Sequence, residues 1–452
     1  MPLALIFKIA VMPCYPMDKP SKYSPCTAPN GQCYDAPQVP MNIDRREFVT
    51  TLTAGALAQQ AGAQRRQSKM TAKTFDVVVI GAGVFGAWTA WHLQKAGQKV
   101  ALLDAYGAAH SRASSGGESR VIRMGYGADE IYTRWSMRSL KLWQEFFAQV
   151  KQPLFHKTGM LWMARERDAY TLATKTTLTK LGVKFEELPR AELEKRWPQI
   201  SFGPVTWALY EPDSGALLAR RAVQAVVQDA SKNGVQYLTE AVIAPSGKGK
   251  IDSVKTSSGA TISAGAFVFA CGPWLPKVFP TLLTDRIHPT RQEIYFFGAP
   301  AGDARWKPPA MPTWIDFGAE IYGIPDLENR GFKVALDRHG PTLDPDTNER
   351  VITPALLAEV RKHLAERFPG LQDAPLLESR VCQYENTSNG DFLIDRHPEM
   401  TNVWLVGGGS GHGFKHGPAL GEYVAARVVQ SDAVEQRFTL ATKEKVQKRS
   451  VF

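Results

Sequence analysis

Cysteine is scarce in this chain of 452 residues, which has five. Cys14, Cys26 and Cys33 lie close to the start, whereas Cys271 and Cys382 lie far apart in the remainder. With no CxxC pair, this pattern excludes a disulfide framework for most of the chain. The nine histidines show no HExxH or similar spacing, so we expect no metal site. The fold should therefore depend on an ordinary apolar core.

Long apolar runs are also lacking, and none reaches the roughly 18 residues of a membrane span, so we expect none. Hydrophobic residues make up 44% and charged residues 22% of the chain, as in globular proteins. The formal net charge is +10, but basic and acidic residues alternate along most of the chain. Because the densest basic stretch is 443–449, we interpret it as a solvated tail and expect no nucleic-acid partner.

The first 70 residues lack the periodicity of a folded element. Residues 1–40 are rich in proline and polar residues and are predicted to be disordered. Arg45 and Arg46 precede a mildly apolar run, and residues 61–63 form a small-residue cleavage pattern. This combination predicts a disordered leader with a twin-arginine-like export signal, and hence a periplasmic or exported protein. The alternative is an unprocessed N-terminus with a chance arginine pair, in which case the protein is cytoplasmic.

A dinucleotide-binding pattern opens the remainder. Residues 76–80 read DVVVI, a buried strand, and run into GAGVFG at 81–86. A helix is predicted over 87–96, followed by a second strand over 100–104 that ends in Asp104. In such a turn the first glycine permits tight bending, the second lets the backbone approach a pyrophosphate, and the third allows close helix packing.

The cofactor residues predicted from this pattern follow from those requirements. Gly81, Gly83 and Gly86 form the turn, and the helix N-terminus offers unpaired N–H groups to phosphates. Asp104 is placed to accept hydrogen bonds from ribose hydroxyls. The pattern alone does not distinguish FAD from NAD.

Several further motifs resemble the monomeric sarcosine oxidase and N-methyltryptophan oxidase family, within the D-amino-acid-oxidase-like flavoproteins. They are SSGGESRVIR at 114–123, VCQY at 381–384, FLIDRHP at 392–398 and GSGHGFK at 409–415. The resemblance covers about 75–429. It implies an α/β fold with a Rossmann-type, glutathione-reductase-like FAD domain and a second domain whose antiparallel sheet covers the flavin.

The expected domain boundaries follow this resemblance. We expect a discontinuous FAD-binding domain formed by 71–155, 212–290 and 380–440. We expect the substrate domain to comprise 156–211 and 291–379. The resemblance also implies that the protein is a monomer.

The resemblance assigns further residues to the cofactor. Cys382 matches the cysteine that carries the flavin covalently, although a free cysteine is more commonly a small core residue. Arg120 matches an arginine stacked near the flavin. The remaining residues expected to bind the cofactor are Ser115, Gly409, Gly411, Gly413 and Lys415.

The resemblance likewise assigns residues to the reaction. Arg123 and Lys415 match the pair that binds the substrate carboxylate, and Lys333 matches a lysine that promotes reaction with oxygen. Tyr322 and Tyr384 match tyrosines that line the substrate cavity. The alternatives are a structural ion pair for Arg123, a solvated surface charge for Lys415 and an exposed strand residue for Lys333.

Two positions depart from the family pattern. Asp337 and Gly116 each stand where members of that family carry histidine. A carboxylate at 337 would lie near the substrate and favour a more basic or longer amine, or alter the substrate's protonation, so the resemblance does not extend to sarcosine itself as the substrate.

The implied reaction is the oxidation of a secondary or N-methylated amino acid by FAD and molecular oxygen. The products are an imine, then an aldehyde and an amine, with hydrogen peroxide. Two alternatives stay open: a flavin amine dehydrogenase with another electron acceptor, and a flavin-bearing assembly or binding protein with little turnover.

Overall fold

The computed structural model describes residues 74–430 and 432–446. Residues 71–452 form one compact unit, and the predicted leader lies outside the described residues. The strands in the described part are β1 (Thr74–Ile80), β2 (Val100–Asp104), β3 (Arg120–Ile122), β4 (Phe155–His156), β5 (Met160–Ala164), β6 (Glu186–Pro189), β7 (Trp207–Glu211), β8 (Gly215–Leu217), β9 (Gln236–Thr239), β10 (Ser253–Lys255), β11 (Thr261–Phe269), β12 (Ile287–Phe297), β13 (Thr313–Asp316), β14 (Ile321–Ile324), β15 (Phe332–Leu336), β16 (Leu376–Thr387), β17 (Leu393–Arg396) and β18 (Val403–Gly407). The helices are α1 (Val84–Lys95), α2 (Glu130–Val150), α3 (Ala169–Lys180), α4 (Arg190–Arg196), α5 (Ala219–Lys232), α6 (Leu275–Val278), α7 (Pro280–Leu283), α8 (Pro354–Arg367) and α9 (Gly417–Gln430).

The first sheet has the strand order β17-β18-β11-β1-β2-β9, with β10 paired to β11. Its central strands are parallel, as expected for apolar strands covered by helices on both faces. Helix α1 packs against α5 and α9 on one face. Val78 and Val79 of β1 are fully buried on opposite faces of the sheet.

Helix α1 begins at Val84, three residues earlier than the predicted start at 87. The turn before it is correspondingly tight, because Gly81 adopts a φ of +103° that only glycine accepts readily. A Cβ at Gly86 would overlap the carbonyl oxygen of Gly81. The early start brings the helix N-terminus directly against the end of β1.

The second sheet has the order β16-β12-β15-β14-β13-β5-β7-β6 and is antiparallel except for the β5–β13 pair. This large sheet confirms the predicted fold class. The long strands β12 and β16 pair over most of their length, and the expected boundaries at 290/291 and 379/380 fall inside them. A small sheet of β3, β8 and β4 completes the described strands.

The C-terminal basic stretch is not simply a solvated tail. Lys443 is fully buried, and its amino group donates to the carbonyl oxygen of Arg437 at 2.7 Å. Burial lowers the pKa of Lys443 to about 8. The interpretation as a tail was wrong at Lys443, because turns at 436–442 fold this segment back onto the protein.

Within the described part of the chain, no helix is long and apolar enough to cross a membrane.

Candidate active site and cofactor cavity

A cavity of about 440 Å³ lies beside the carboxyl ends of β1 and β2 and reaches β16. It brings together residues that are far apart in the sequence. The predicted residues that line it are Gly81, Gly83, Asp104, Ser115, Arg120, Cys382, Tyr384, Gly409, Gly411 and Gly413.

The glycine turn holds one side of this cavity. The backbone N–H of Val84 donates to the hydroxyl oxygen of Ser115 at 3.0 Å, which ties the helix start to the following loop. The first turn of α1 carries no acidic residue, so its positive dipole end is available to an anion. A Cβ at Gly83 would meet only Ser115, at an ordinary distance of 3.5 Å. Glycine at position 83 is therefore not required by packing within the protein, and it leaves the backbone there uncovered by a side chain.

Asp104 is the anchor of this turn at the end of β2. One carboxylate oxygen accepts from the Ala82 N–H at 2.7 Å, and the other accepts from the N–H groups of Tyr106 and Gly107 at 2.9 and 3.0 Å. The side chain thus joins the glycine turn to the loop after β2 while it lines the cavity.

The predicted glycine-rich segment 407–413 lies on another side of the cavity. Gly411 has a φ of +77° and packs against the ring of Tyr384. A Cβ at Gly413 would approach the ring of Phe85 to 2.8 Å, so a larger residue has no room there. A short turn, Phe414–His416, then leads into α9.

Cys382 lies on β16 in contact with Arg120. The guanidinium of Arg120 donates to the carbonyl oxygen of Ser114 at 2.6 Å and lies 3.4 Å from the Cys382 sulfur. The cysteine is only partly buried and faces the cavity, so it is not an ordinary core residue.

Lys333 is buried rather than exposed on its strand, with 1% of its surface accessible. Its amino group donates to the carbonyl oxygen of Ser119 at 2.8 Å and lies over the ring of Tyr322. Burial, followed by the nearby charge of Arg120, holds the pKa of Lys333 well below its usual range. The side chain is not among those that line the cavity.

Lys415 is also buried, with 4% of its surface accessible, and it likewise does not line the cavity. Its amino group donates to the hydroxyl oxygen of Tyr126 at 2.7 Å and to the carbonyl oxygen of His412 at 2.8 Å. Burial and then the charge of Arg123 hold the pKa of Lys415 well below its usual range. The surface alternative for Lys415 was therefore wrong.

Arg123 lies between aromatic rings rather than in a simple ion pair. Its guanidinium lies 4.3 Å from the ring centre of Tyr126 and 4.6 Å from that of Trp162, and it donates to the carbonyl oxygen of Gly125. Burial opposes its charge, but the surrounding phenol and carboxyl groups hold the pKa of Arg123 above its usual value.

Asp337 lies among these cations. The hydroxyl of Tyr384 donates to its carboxylate at 3.1 Å, and Tyr322 lies close to Tyr384. Burial raises the pKa of Asp337 to about 6, whereas Tyr384, Arg123 and Lys415 oppose the rise. Asp337 as a whole is partly exposed.

Gly116 has a structural explanation. A Cβ there would overlap the carbonyl oxygen of His110, and the carbonyl oxygen of Gly116 accepts from the guanidinium of Arg220 at 2.8 Å. The tight winding of this loop excludes any side chain at this position.

Three residues of this region were not predicted. Glu211 is buried beneath Arg123 and accepts from the N–H groups of Met124 and Gly125. Tyr126 holds Lys415. Glu385 lines the cavity next to Tyr384. For Glu211 and Glu385 the sequence signal was a charged residue within an otherwise buried strand, which does not show what the side chain faces.

The cavity fits an elongated dinucleotide. The cavity extends from the glycine turn and Asp104 in the first sheet to Cys382 in the second sheet. The N-terminus of α1 lies beside it and can bind a phosphate group. Gly86 and Lys415 lie just outside the lining, where they support the turn and the opposite wall.

These features are those of a flavin enzyme, and the sequence profile described as FAD dependent oxidoreductase matches residues 76–427. The chain belongs to this family. It is an FAD-dependent oxidoreductase.

Individual relatives with named activities are also similar to the chain. The chain is 30% identical over 393 residues to a monomeric sarcosine oxidase of Bacillus sp. strain B-0618, covering 83% of this chain and 99% of the relative. It is 29% identical over 371 residues to the N-methyl-L-tryptophan oxidase of Salmonella arizonae, covering 78% and 94%. The crystal structure of L-proline dehydrogenase from P. horikoshii has the same fold, with a TM-score of 0.71 at 22% identity over 81% of this chain and 97% of that chain.

Proposed function

We propose that the protein oxidises a secondary or N-methylated amino acid with molecular oxygen, forming hydrogen peroxide. The gathering of Arg123 and Lys415 near Asp337 carries this proposal, because it offers charged groups of both signs to a zwitterion. When bound, FAD supplies the two-electron oxidation. Overall, the CH–NH group loses two electrons and two protons to become an imine, oxygen accepts both to become hydrogen peroxide, and water converts the imine to an aldehyde and an amine.

The protein's own residues position the substrate in this proposal. Arg123 and Lys415 bind the carboxylate, and the Arg123 guanidinium is held rigid by the rings of Tyr126 and Trp162. Lys333 assists the reaction with oxygen through its positive charge when protonated. Tyr322 and Tyr384 line the space where the substrate binds.

The experiment is a peroxide assay with N-methylated, cyclic and basic amino acids in air. An oxidase forms peroxide in step with substrate loss. Substrate loss that needs an added dye, without peroxide, would instead indicate a dehydrogenase. No turnover with any amine under either condition would favour a binding protein.

We further propose that Asp337 selects a substrate with an additional basic group or a longer chain. Its carboxylate is held by Tyr384 in the same cluster as Arg123 and Lys415. Replacing Asp337 by asparagine should lower the ratio of kcat/KM for basic to neutral substrates about tenfold, since a charged hydrogen bond contributes about 1.5–3 kcal/mol. An unchanged ratio would contradict this selection.

We also propose a covalent flavin bond through Cys382. Cys382 lines the cavity, and its sulfur lies 3.4 Å from the guanidinium of Arg120. Protein purified with FAD should give a yellow fluorescent band after denaturing electrophoresis, and Cys382→Ala should abolish the band but not the bound colour. A dark band from the unaltered protein would leave FAD bound non-covalently.

Finally, we propose that the protein is exported as a folded monomer through its twin-arginine-like leader. The support is the Arg45–Arg46 pair, the apolar run and the small residues after it. A folded route suits a protein that must fold around its cofactor before export.

A further inference from the structure

Glu385 is a buried carboxyl group in the wall of the cofactor cavity. It lies on β16, and 7% of its surface is accessible. One carboxyl oxygen, Oε1, accepts from the backbone N–H of Gly409 at 3.2 Å. The other, Oε2, is shielded from solvent and has no hydrogen-bond partner among the described residues.

The unpartnered oxygen lies close to the wall of the cavity. It lies beside Gly272 and Gly407, and an ideal Cβ on these glycines would stand 3.9 and 3.3 Å from it. Gly272, Gly409 and Glu385 all line the cavity. Because a buried polar atom without a partner is unfavourable, a group that occupies the cavity should satisfy it.

The protonation state of Glu385 determines what this group can offer. A carboxylate only accepts hydrogen bonds, whereas a protonated carboxyl group also donates one. Burial raises the pKa of Glu385 to about 7, although the N–H groups of Gly409 and Gly408 oppose the rise. Near neutral pH the protonated form is therefore readily available.

We propose that Glu385 is a proton-carrying ligand of FAD, with Oε2 donating a hydrogen bond to an acceptor oxygen of the cofactor. Oε1 keeps its bond from Gly409, so the carboxyl group links the glycine-rich segment to FAD. This role makes cofactor affinity depend on pH. It concerns FAD retention and is independent of which amine is oxidised.

Few other titratable groups face Glu385. The Cys271 thiol is nearest, and burial raises its pKa, so it stays neutral. On the paired strand β12 the residue opposite Glu385 is Pro289, and the adjacent His288 has a lowered pKa because of burial. The facing segment 407–409 is all glycine. The other titratable residues that line the cavity are Asp104, Tyr106, His110, Arg120, Glu240, Lys277, Asp346, Cys382 and Tyr384.

The direction of the pH dependence follows from linkage. If FAD binds the protonated form, binding raises the pKa of Glu385 further. Affinity should then be constant below the pKa of the free protein and should fall above it. A carboxylate that accepted from FAD would give the opposite sign.

The experiment measures FAD binding to apoprotein by quenching of flavin fluorescence. Every protein carries Cys382→Ala, which keeps binding reversible. From about pH 6 to about pH 8.5 we expect the affinity to fall by roughly tenfold or more. Calorimetry in buffers of different ionisation enthalpy should show uptake of about 0.5–0.8 proton per FAD bound near pH 7.5.

Glu385→Gln isolates the effect, because a neutral amide can donate to FAD and accept from Gly409 at every pH. This variant should keep the affinity seen at low pH, lose the pH dependence and take up no proton. Glu378→Gln is the matched control, since Glu378 lies on the same strand but outside the cavity lining, and it should behave like the parent.

Three outcomes would overturn the proposal. They are an affinity that is constant or rises with pH, a Glu385→Gln variant that binds FAD tenfold more weakly at low pH, and binding without proton uptake. The proton count uses the unaltered Glu385, so the proposal can be tested even if the glutamine variant folds poorly.

Discussion

Lys415 is held by groups that do not neutralise it. Its amino group donates to a phenol oxygen and a carbonyl oxygen in a buried setting, and burial and Arg123 lower its pKa. An incoming carboxylate would supply the missing negative charge. Substrate binding should therefore raise the pKa of Lys415 and favour its protonated form.

Replacing Lys415 by methionine removes this cation while keeping a long apolar stem. We expect KM for carboxylate substrates to rise by about tenfold or more, because a charge-assisted hydrogen bond contributes about 1.5–3 kcal/mol. Steady-state kinetics in air measures the change. Lys157→Met, at an exposed lysine paired with Asp213, is the control and should leave KM unchanged. An unchanged KM in Lys415→Met for every carboxylate substrate would exclude the role.

Ionisation of Asp337 should make kcat/KM depend on pH on the acidic side of the profile. Its pKa is raised to about 6, so the carboxylate becomes ionised as pH rises through that value. For a basic substrate, kcat/KM should rise through about pH 6 and then level off, and Asp337→Asn should remove this limb. A pH profile of kcat/KM measures it. A limb that persists unchanged in the variant would assign it to another group.

The turn between β1 and α1 contains two glycines with different functions. Gly86 has no room for a Cβ because the Gly81 carbonyl lies against it, whereas Gly83 has room in the protein itself. We therefore expect Gly86 to be needed for packing of the protein and Gly83 to be needed for cofactor binding.

Alanine at each position should therefore have a different effect. Gly86→Ala should lower the stability of the apoprotein by about 1–3 kcal/mol, as overpacking does. Gly83→Ala should leave apoprotein stability nearly unchanged and weaken FAD binding, because the backbone can no longer approach the pyrophosphate. Denaturant unfolding of apoprotein and FAD titration measure the two effects. Equal loss of apoprotein stability in both variants would contradict this division.

We expect folding and FAD binding to depend on the compact unit and not on the leader. Residues 71–452 contain both sheets and the cavity, so we expect this segment to fold and bind FAD without the leader. Fluorescence of bound flavin and size-exclusion chromatography of the segment measure this directly. Aggregated, colourless protein would show that the leader is needed for folding.

Export should depend on the arginine pair. Lysine at both Arg45 and Arg46 keeps the charge but removes the guanidinium groups, so we expect the precursor to accumulate in the cytoplasm. Fractionation followed by immunodetection compares it with the unaltered chain. Normal export of the double variant would rule out the twin-arginine route.

Short-range features could be predicted because they depend on local backbone sterics. The GAGVFG turn needs glycine at fixed positions, and β2 must end in an acid at a fixed distance, so the dinucleotide-binding turn could be predicted from a short stretch. Motifs in the right order then indicated the family. The start of α1 was misplaced by three residues, since the turn signal does not specify where helical hydrogen bonding begins.

The sequence by itself determined the dinucleotide-binding turn and the order of the motifs, and through its resemblance to a known family it indicated FAD and the two-sheet architecture. Only the tertiary structure decided that Asp337 accepts a hydrogen bond from Tyr384, that Lys443 is buried, and that Glu385 lines the cavity and has an unpartnered oxygen. Asp337 and Tyr384 are 47 residues apart in the chain, and Glu385 lies on a strand whose cavity-facing side the sequence does not identify. Such contacts depend on how the two sheets pack, and no local pattern encodes that packing.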